Sequence, residues 1–164
     1  MCFSCKSKTI QKELKMIDSL SQVLQQTEVF LSIVPEVEKL STEVQGNMKL
    51  FNSKNKDTLS YQQSQLWTDY YMIGKVYKKY LRRAGDSKNE ITALKKQLDD
   101  LKHDLENGLI NPAEFHDNIL NEQKDISSIF NKTEQYYKAV EEHNKDFIKL
   151  KPIIIDEMKK INLE

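Results

Sequence analysis

The sequence has few of the residues that interrupt regular structure, with only four glycines and three prolines in 164 residues. A β-sheet protein of this length needs many turns, which these residues usually form, so the composition disfavours strands. No run of 18 or more apolar residues occurs, and a bilayer-spanning helix requires one. Basic and acidic residues number 25 each, so the net charge gives no argument for nucleic-acid binding.

Sequence motifs that carry chemistry are also lacking. There is no glycine-rich phosphate loop, no Gly-x-Ser-x-Gly and no His-Glu-x-x-His. No histidine follows a glutamate in the Glu-x-x-His spacing of helical di-metal sites. Asp100-x-x-His103 and the polar cluster at 142–146 keep a metal-dependent alternative open. We expect no catalytic residue, no metal, no cofactor and no small-molecule substrate, and predict that the protein is not an enzyme.

The residues that are abundant favour long amphipathic helices. Hydrophobic residues make up 38% of the chain and charged residues 30%, which suits one buried stripe and wide solvated faces. Apolar residues recur at three- and four-residue steps over about 9–51, where Pro35 predicts a kink or break. Residues 52–57 are polar and aperiodic, which predicts a loop.

A second helix is predicted over about 58–83, and Gly85 would end it as a left-handed cap. A third is predicted from Ser87, because Ser87-Lys-Asn-Glu90 fits a capping box. The fourth is predicted from Pro112 to about residue 150.

A helical hairpin between the third and fourth helices is the best-defined local feature. Gly108 would stop the third helix, and Asn111 would cap the fourth. Pro112 takes the first helical position, and Glu114 completes the capping pattern. Leu109 and Ile110 are expected to fold back onto the hairpin.

These elements predict an all-α fold, an elongated antiparallel bundle or coiled coil of three to four long helices. The bundle would form one domain over 9–164, behind a flexible tether at 1–8, with its hairpin turn at 108–111. Pro152 predicts a second kink or break.

The hairpin resembles a SHOCT module, a short helical hairpin found mostly at bacterial protein C-termini. The shared pattern is a leucine-rich helix, a glycine, two aliphatics, an asparagine cap and Glu-Phe, over about 92–121. The resemblance implies oligomerisation or interaction rather than chemistry. The residues that would carry this role are Leu98, Leu101, Leu105, Gly108, Leu109, Ile110 and Phe115.

The N-terminus resembles the end of a bacterial lipoprotein signal, because Ser4 precedes Cys5 and a polar, lysine-bearing stretch follows. The resemblance implies that Cys5 is lipidated and requires a start site upstream of Met1, since the usual apolar segment does not precede it. Three alternatives stay open. They are S-acylation of Cys2 and Cys5 beside the lysines, a Cys-x-x-Cys metal or redox pair, and two thiols without a role.

The second predicted helix combines many tyrosines with a basic end. The favoured interpretation is a tyrosine stripe in the core, with basic residues complementing the helix dipole. The alternative is a face that binds a protein partner. Its residues would be Tyr71, Lys75, Lys78, Arg82 and Arg83.

The leading hypothesis is a membrane-tethered helical lipoprotein, a structural or interaction module on the periplasmic or outer-surface side of the bacterial cell envelope. Its partners would be a protein or a second copy, together with a membrane through the lipid on Cys5. The alternative is a soluble cytosolic coiled-coil adaptor that self-associates through the helices around Gly108. Neither hypothesis involves nucleic acid.

Overall fold

A computed structural model describes the backbone of residues 3–54 and 59–163, and the side chains of 10–54 and 59–160. Four α-helices and no strand occur in that part of the chain. The helices are α1 (Phe3–Leu31), α2 (Val34–Lys54), α3 (Tyr61–Glu106) and α4 (Pro112–Leu163). The all-α fold of long, packed helices is thus confirmed. Helix α1 includes most of the segment 1–8 for which the sequence predicts a tether.

The break predicted at Pro35 is confirmed, and it lies between α1 and α2. Residues 32–33 form a turn, and the backbone N–H groups of Glu36 and Val37 both donate to the Ile33 carbonyl, at 3.1 and 3.0 Å. Pro35 therefore sits in the first turn of α2, where its missing N–H would have had no helical partner. The proline begins a helix rather than kinking one.

A capping box, absent from the sequence-based predictions, precedes α3. The Ser60 hydroxyl accepts a hydrogen bond from the Gln63 N–H at 3.2 Å, and the Gln63 side-chain oxygen Oε1 accepts one from the Ser60 N–H at 3.1 Å. Ser60-x-x-Gln63 fits the sequence pattern for this motif. The helix consequently begins three residues after the predicted position 58. Since α2 extends to Lys54, the predicted loop at 52–57 starts too early, and residues 55–58 lie outside the described residues.

The helix end predicted at Gly85 is wrong, because α3 continues through Gly85 and Ser87. Ser87 is buried instead of capping a helix, and its hydroxyl accepts a hydrogen bond from that of Thr133 at 3.3 Å. Ala84 and Ile91 are buried on either side of it along α3. This continuous buried stripe overrides the helix cost of a single glycine, about 1 kcal/mol.

Of the kink or break predicted at Pro152, the break does not occur, since α4 continues to Leu163. Proline in a helix interior costs about 3 kcal/mol, partly through a lost backbone hydrogen bond. Pro152 is exposed, so water can solvate the carbonyl that it leaves without a helical donor. Ile154 and Met158 are buried beyond the proline. Burying each side chain contributes about 1.5–3 kcal/mol, which offsets the cost of the proline.

The hairpin between α3 and α4 forms as predicted. Gly108 has a φ of 66°, the left-handed conformation that glycine adopts without steric cost. The Gly108 N–H donates to the Leu105 carbonyl at 3.3 Å, and the Leu109 N–H donates to the Asp104 carbonyl at 2.8 Å. This pair of bonds is the Schellman motif.

The start of α4 is capped by Asn111. Its side-chain oxygen accepts from the N–H groups of Ala113 and Glu114, at 3.1 and 3.0 Å. The Asn111 amide donates to the Glu114 carboxylate at 3.2 Å. Glu114 thus completes the predicted capping pattern by a bond between the two side chains. Ile110 packs against the core as expected. The same expectation for Leu109 is wrong, because Leu109 is 68% exposed.

The chain divides into two compact units, each built from three helical segments. Unit 1 is Met1–Ser32 with Gly85–Glu134, and unit 2 is Ile33–Ala84 with Gln135–Glu164. Helices α3 and α4 each contribute to both units. For this reason helical periodicity along the chain gives no sign of the division, and the sequence predicts one domain over 9–164.

The two units have different cores. Unit 1 has an aliphatic core with one aromatic residue, formed by Ile17, Leu24, Ile91, Leu94, Leu98, Leu101, Leu105, Phe115, Ile119, Ile126 and Ile129. Unit 2 has an aromatic core. The Phe51 and Trp67 rings stack with centroids 3.9 Å apart, and Tyr70 packs against Phe147 at 6.1 Å.

Candidate functional site

The tyrosine stripe of α3 lies in the core of unit 2, as the favoured interpretation predicts. Tyr70, Tyr77 and Tyr80 are all buried. The Asn47 amide donates to the Tyr70 hydroxyl at 2.9 Å, and the Tyr77 hydroxyl donates to the Asn144 side-chain oxygen at 2.6 Å. These bonds join α3 to α2 and to α4. The stripe therefore holds the helices of unit 2 together.

Burial shifts the ionisation of these tyrosines. Removal from water disfavours the phenolate and raises the pKa of Tyr80 to about 12, with a smaller contribution from Tyr137. The same cause raises the pKa values of Tyr70 and Tyr77. All three are therefore neutral well above pH 7, which fits their burial in the core of unit 2.

Tyr71 differs from its neighbours because it points away from this core. It is 46% exposed, and the Lys75 ammonium lies 4.8 Å from the centroid of its ring. This is a cation–π contact between residues one helical turn apart. An exposed tyrosine beside a lysine offers apolar area, a hydroxyl and a positive charge together, as residues that bind proteins often do.

Tyr71, Lys75 and Lys78 line a groove between α2 and α3 within unit 2. The groove has a volume of about 780 Å³, and residues between 44 and 53 of α2 form its other side. Met48 and Lys49 belong to that side, and sequence reasoning missed both. Their spacing within α2 was visible in the sequence, but the pairing of α2 with this part of α3 was not.

The two predicted arginines are placed elsewhere. Arg82 is exposed and is not among the residues that line the groove. The Arg83 guanidinium lies 6.0 Å from the centroid of the Tyr136 ring, and the Lys79 ammonium lies 5.4 Å from it. The structure therefore brings three of the five predicted partner-binding residues to the groove.

The residues predicted for hairpin oligomerisation mostly serve the core of unit 1. Leu98, Leu101, Leu105 and Phe115 are buried there by contacts within the chain. Leu109 alone among the large apolar members of that set is largely exposed. A second copy would therefore meet the turn itself and not the leucine seam.

The polar side chains that the structure describes form no cluster suited to bind a metal. Across the described residues, no three His, Cys, Asp or Glu side chains lie close enough together to hold one metal ion. The His143 Nδ1 lies 2.8 Å from the Ala139 carbonyl of its own helix. No helix in the described part of the chain is both long enough and apolar enough to cross a membrane.

One carboxylate that sequence reasoning did not single out has an unusual environment. Glu122 in α4 buries its Oε2 atom, which has no hydrogen-bond partner among the described residues. Desolvation, followed by the nearby charge of Asp125, raises the pKa of Glu122. It lies in unit 1, away from the groove-lining residues in the sequence.

The predicted lipidation site, Cys5, lies outside the residues whose side chains are described, as does Cys2. Comparisons with protein families, with curated proteins and with solved structures find no match for this chain.

Proposed function

We propose that this protein is a non-catalytic protein-interaction module of the bacterial cell envelope, held at the membrane by a lipid on Cys5. The observation that carries the interaction is the exposed pair of Tyr71 and Lys75 on α3. Tyrosine is among the residue types that most often dominate the binding energy of protein interfaces, and this one does not pack in the core of its own chain.

The tether rests on the sequence around Ser4 and Cys5, which resembles a lipoprotein processing site. A chain with equal numbers of basic and acidic residues has little general attraction to an anionic bilayer, so attachment would depend on the lipid. The resemblance of residues 92–121 to a SHOCT module agrees with an interaction role.

Photo-crosslinking in the native cell tests the interaction. A photoreactive phenylalanine analogue replaces Tyr71 in one variant and Tyr61 in another, since Tyr61 is an exposed aromatic residue of the same helix and unit. We expect one discrete protein adduct from position 71 and not from position 61, and its loss when Lys75→Glu is added. No adduct at 71, or the same adducts at both positions, would contradict the proposal.

Mass spectrometry of the mature N-terminus, made from the complete native gene, tests the tether. The expected result is a diacyl- or triacylglyceryl-modified Cys5 as the first residue. An unmodified Cys5 thiol would refute membrane attachment through this residue.

A soluble adaptor that self-associates near Gly108 is the second candidate, favoured by the exposure of Leu109 at the turn. Sedimentation of the chain at high concentration tests it. Self-association that Leu109→Ser abolishes would support the adaptor, whereas a monomer at all concentrations would exclude it.

A further inference from the structure

The groove between α2 and α3 has an apolar floor. Val44 and Gly74 are buried, and Met48 is half-buried beside them. A Cβ atom at Gly74 would lie 2.7 Å from Val44 Cγ1, so the glycine is what permits the helices to approach here. Methionine adapts its shape to apolar groups that enter a groove.

The rim of the groove is positively charged. Lys49, Lys75 and Lys78 line it, and no aspartate or glutamate among residues 10–54 and 59–160 does. Within the described part of the chain, none of the three lysines forms an ion pair. Among the described residues that line the groove, three cations thus surround an apolar floor and no anion joins them, although the whole chain is neutral.

Charge distinguishes this groove from another depression in unit 2. That depression, of about 360 Å³, is lined by Asp69 and Asp146 as well as by Lys149. Its mixed charges do not select for either sign of ligand. The α2–α3 groove selects for a ligand that is apolar on one side and anionic at its edges.

We propose that the α2–α3 groove binds an amphipathic helix of a partner protein, with apolar side chains on the floor and carboxylates facing Lys49, Lys75 and Lys78. This inference rests on the proposed function and specifies its partner. At about 1.5 Å per residue, the α2 side from Val44 to Ser53 is roughly 14 Å long, which fits two to three turns of a helix. Binding of this kind uses apolar residues at i, i+3, i+4 and i+7.

The recessed floor favours a helix over an anionic membrane surface. Val44 at the base is only 1% exposed, so the apolar surface open to a ligand is that of Met48 and Tyr71 inside the concave groove. A planar bilayer would meet the lysines at the rim, whereas a helix can lay leucine side chains along the groove while its flanks stay in water. Concave apolar sites of this type are common between packed helices.

Titration with model peptides tests the inference on the full chain. The probe is a helical peptide of about four turns with leucines at i, i+3 and i+7 and glutamates on both sides of them. Nuclear magnetic resonance should show shifts of the Val44, Met48 and Gly74 amides. A peptide with lysine for each glutamate, and one with serine for each leucine, should bind at least about tenfold more weakly.

Charge-reversed variants supply the matched control. Lys75→Glu with Lys78→Glu should weaken binding of the acidic peptide at least about tenfold, because two attractions become repulsions. Lys39→Glu with Lys145→Glu makes the same charge change at exposed positions of unit 2 outside the groove. This control should bind within about twofold of the parent, since exposed charges far from a site are screened by salt.

Several results would overturn the inference. They are an absence of shifts in the groove, equal binding of the basic peptide, or, in a parallel titration with phosphatidylglycerol vesicles, binding to the vesicles and not to the acidic peptide. If the Tyr71 adduct forms in cells but the peptide causes no shift at Val44 or Met48, the groove inference fails and the proposed function stands. If the peptide binds in the groove but no Tyr71 adduct forms, the proposed function fails, and the groove keeps its measured affinity for an acidic helix without a partner in the cell.

Discussion

The close approach of α2 and α3 at Gly74 makes a quantitative prediction for Gly74→Ala. The added Cβ would lie 2.7 Å from Val44 Cγ1, about 1 Å inside the ordinary carbon–carbon contact distance. Val44 is buried and β-branched, and such a side chain has one strongly preferred rotamer in a helix. The methyl therefore cannot move aside without separating the two helices.

The magnitude follows from two opposing effects. Alanine in a helix interior is more stable than glycine by about 0.5–1 kcal/mol, while overpacking a core costs about 1–3 kcal/mol. Gly74→Ala should therefore lower the free energy of unfolding by about 0–2.5 kcal/mol, and in no case raise it. At Gly46 and Gly85 an added Cβ meets no atom within 4 Å. Alanine at either of those two positions should therefore raise the free energy of unfolding by about 0.5–1 kcal/mol, the difference in helix propensity between alanine and glycine.

Urea unfolding measures all three variants. The single tryptophan, Trp67, is buried in unit 2 and reports on that unit, while circular dichroism reports on all the helices. Adding Val44→Ala to Gly74→Ala should remove the clash, giving a favourable coupling of about 0.5–3 kcal/mol in a double-mutant cycle. Stabilisation by Gly74→Ala equal to that by Gly85→Ala would refute the close packing on which this reasoning depends.

Three further substitutions or titrations have defined outcomes. Glu122→Gln should raise the unfolding free energy by roughly 0.5–1 kcal/mol at pH 7, because it removes a partly desolvated charge. The control Glu90→Gln, on the exposed face, should leave the unfolding free energy unchanged. That gain should vanish below pH 4.5, where Glu122 is protonated in both states, and chemical denaturation across pH tests this. Gly108→Ala should lower the free energy of unfolding by about 1–2 kcal/mol, because the φ of Gly108 is positive. Thermal melting tests this, and an unchanged melting temperature would contradict the turn geometry. Burial raises the folded pKa of Tyr80 from 10.0 to about 12, so the free energy of unfolding should be constant below pH 10 and fall between pH 10 and 12. If phenolate absorbance rises at pH 10 while the helicity is intact, Tyr80 is not buried.

Local chemistry accounts for the parts of the fold that the sequence predicts well. The turn at Gly108 and the cap at Asn111 depend on residues within a few positions of each other, so their residue types specify the geometry. Gly85 and Pro152 mislead because their local effects, about 1 and 3 kcal/mol, are smaller than the burial available on the same helices. Such burial depends on distant segments, which periodicity does not identify.

The candidate site shows the same limit. Tyr71, Lys75 and Lys78 could be found because they lie on one helix face, apart from the stripe of Tyr70 and Tyr77. The α2 side of the groove could not be found, because its inclusion requires knowing which helices pair. The sequence did contain one signal for the pairing of α2 with α3. Gly74 follows a run of bulky side chains at 70–73, and a single small residue in a helix often marks the close approach of another helix.

The hydrogen bonds of the buried tyrosines bear on how the groove binds a partner. Asn47, one residue before Met48 of the groove, donates to Tyr70, one residue before Tyr71. Together with the contact between Gly74 and Val44, this bond fixes α2 against α3 before any ligand arrives. Binding to a preformed groove does not incur the entropy of ordering its walls, and that entropy is a large part of the cost of association. The aromatic core of unit 2 therefore acts as the scaffold of the surface that we propose for binding.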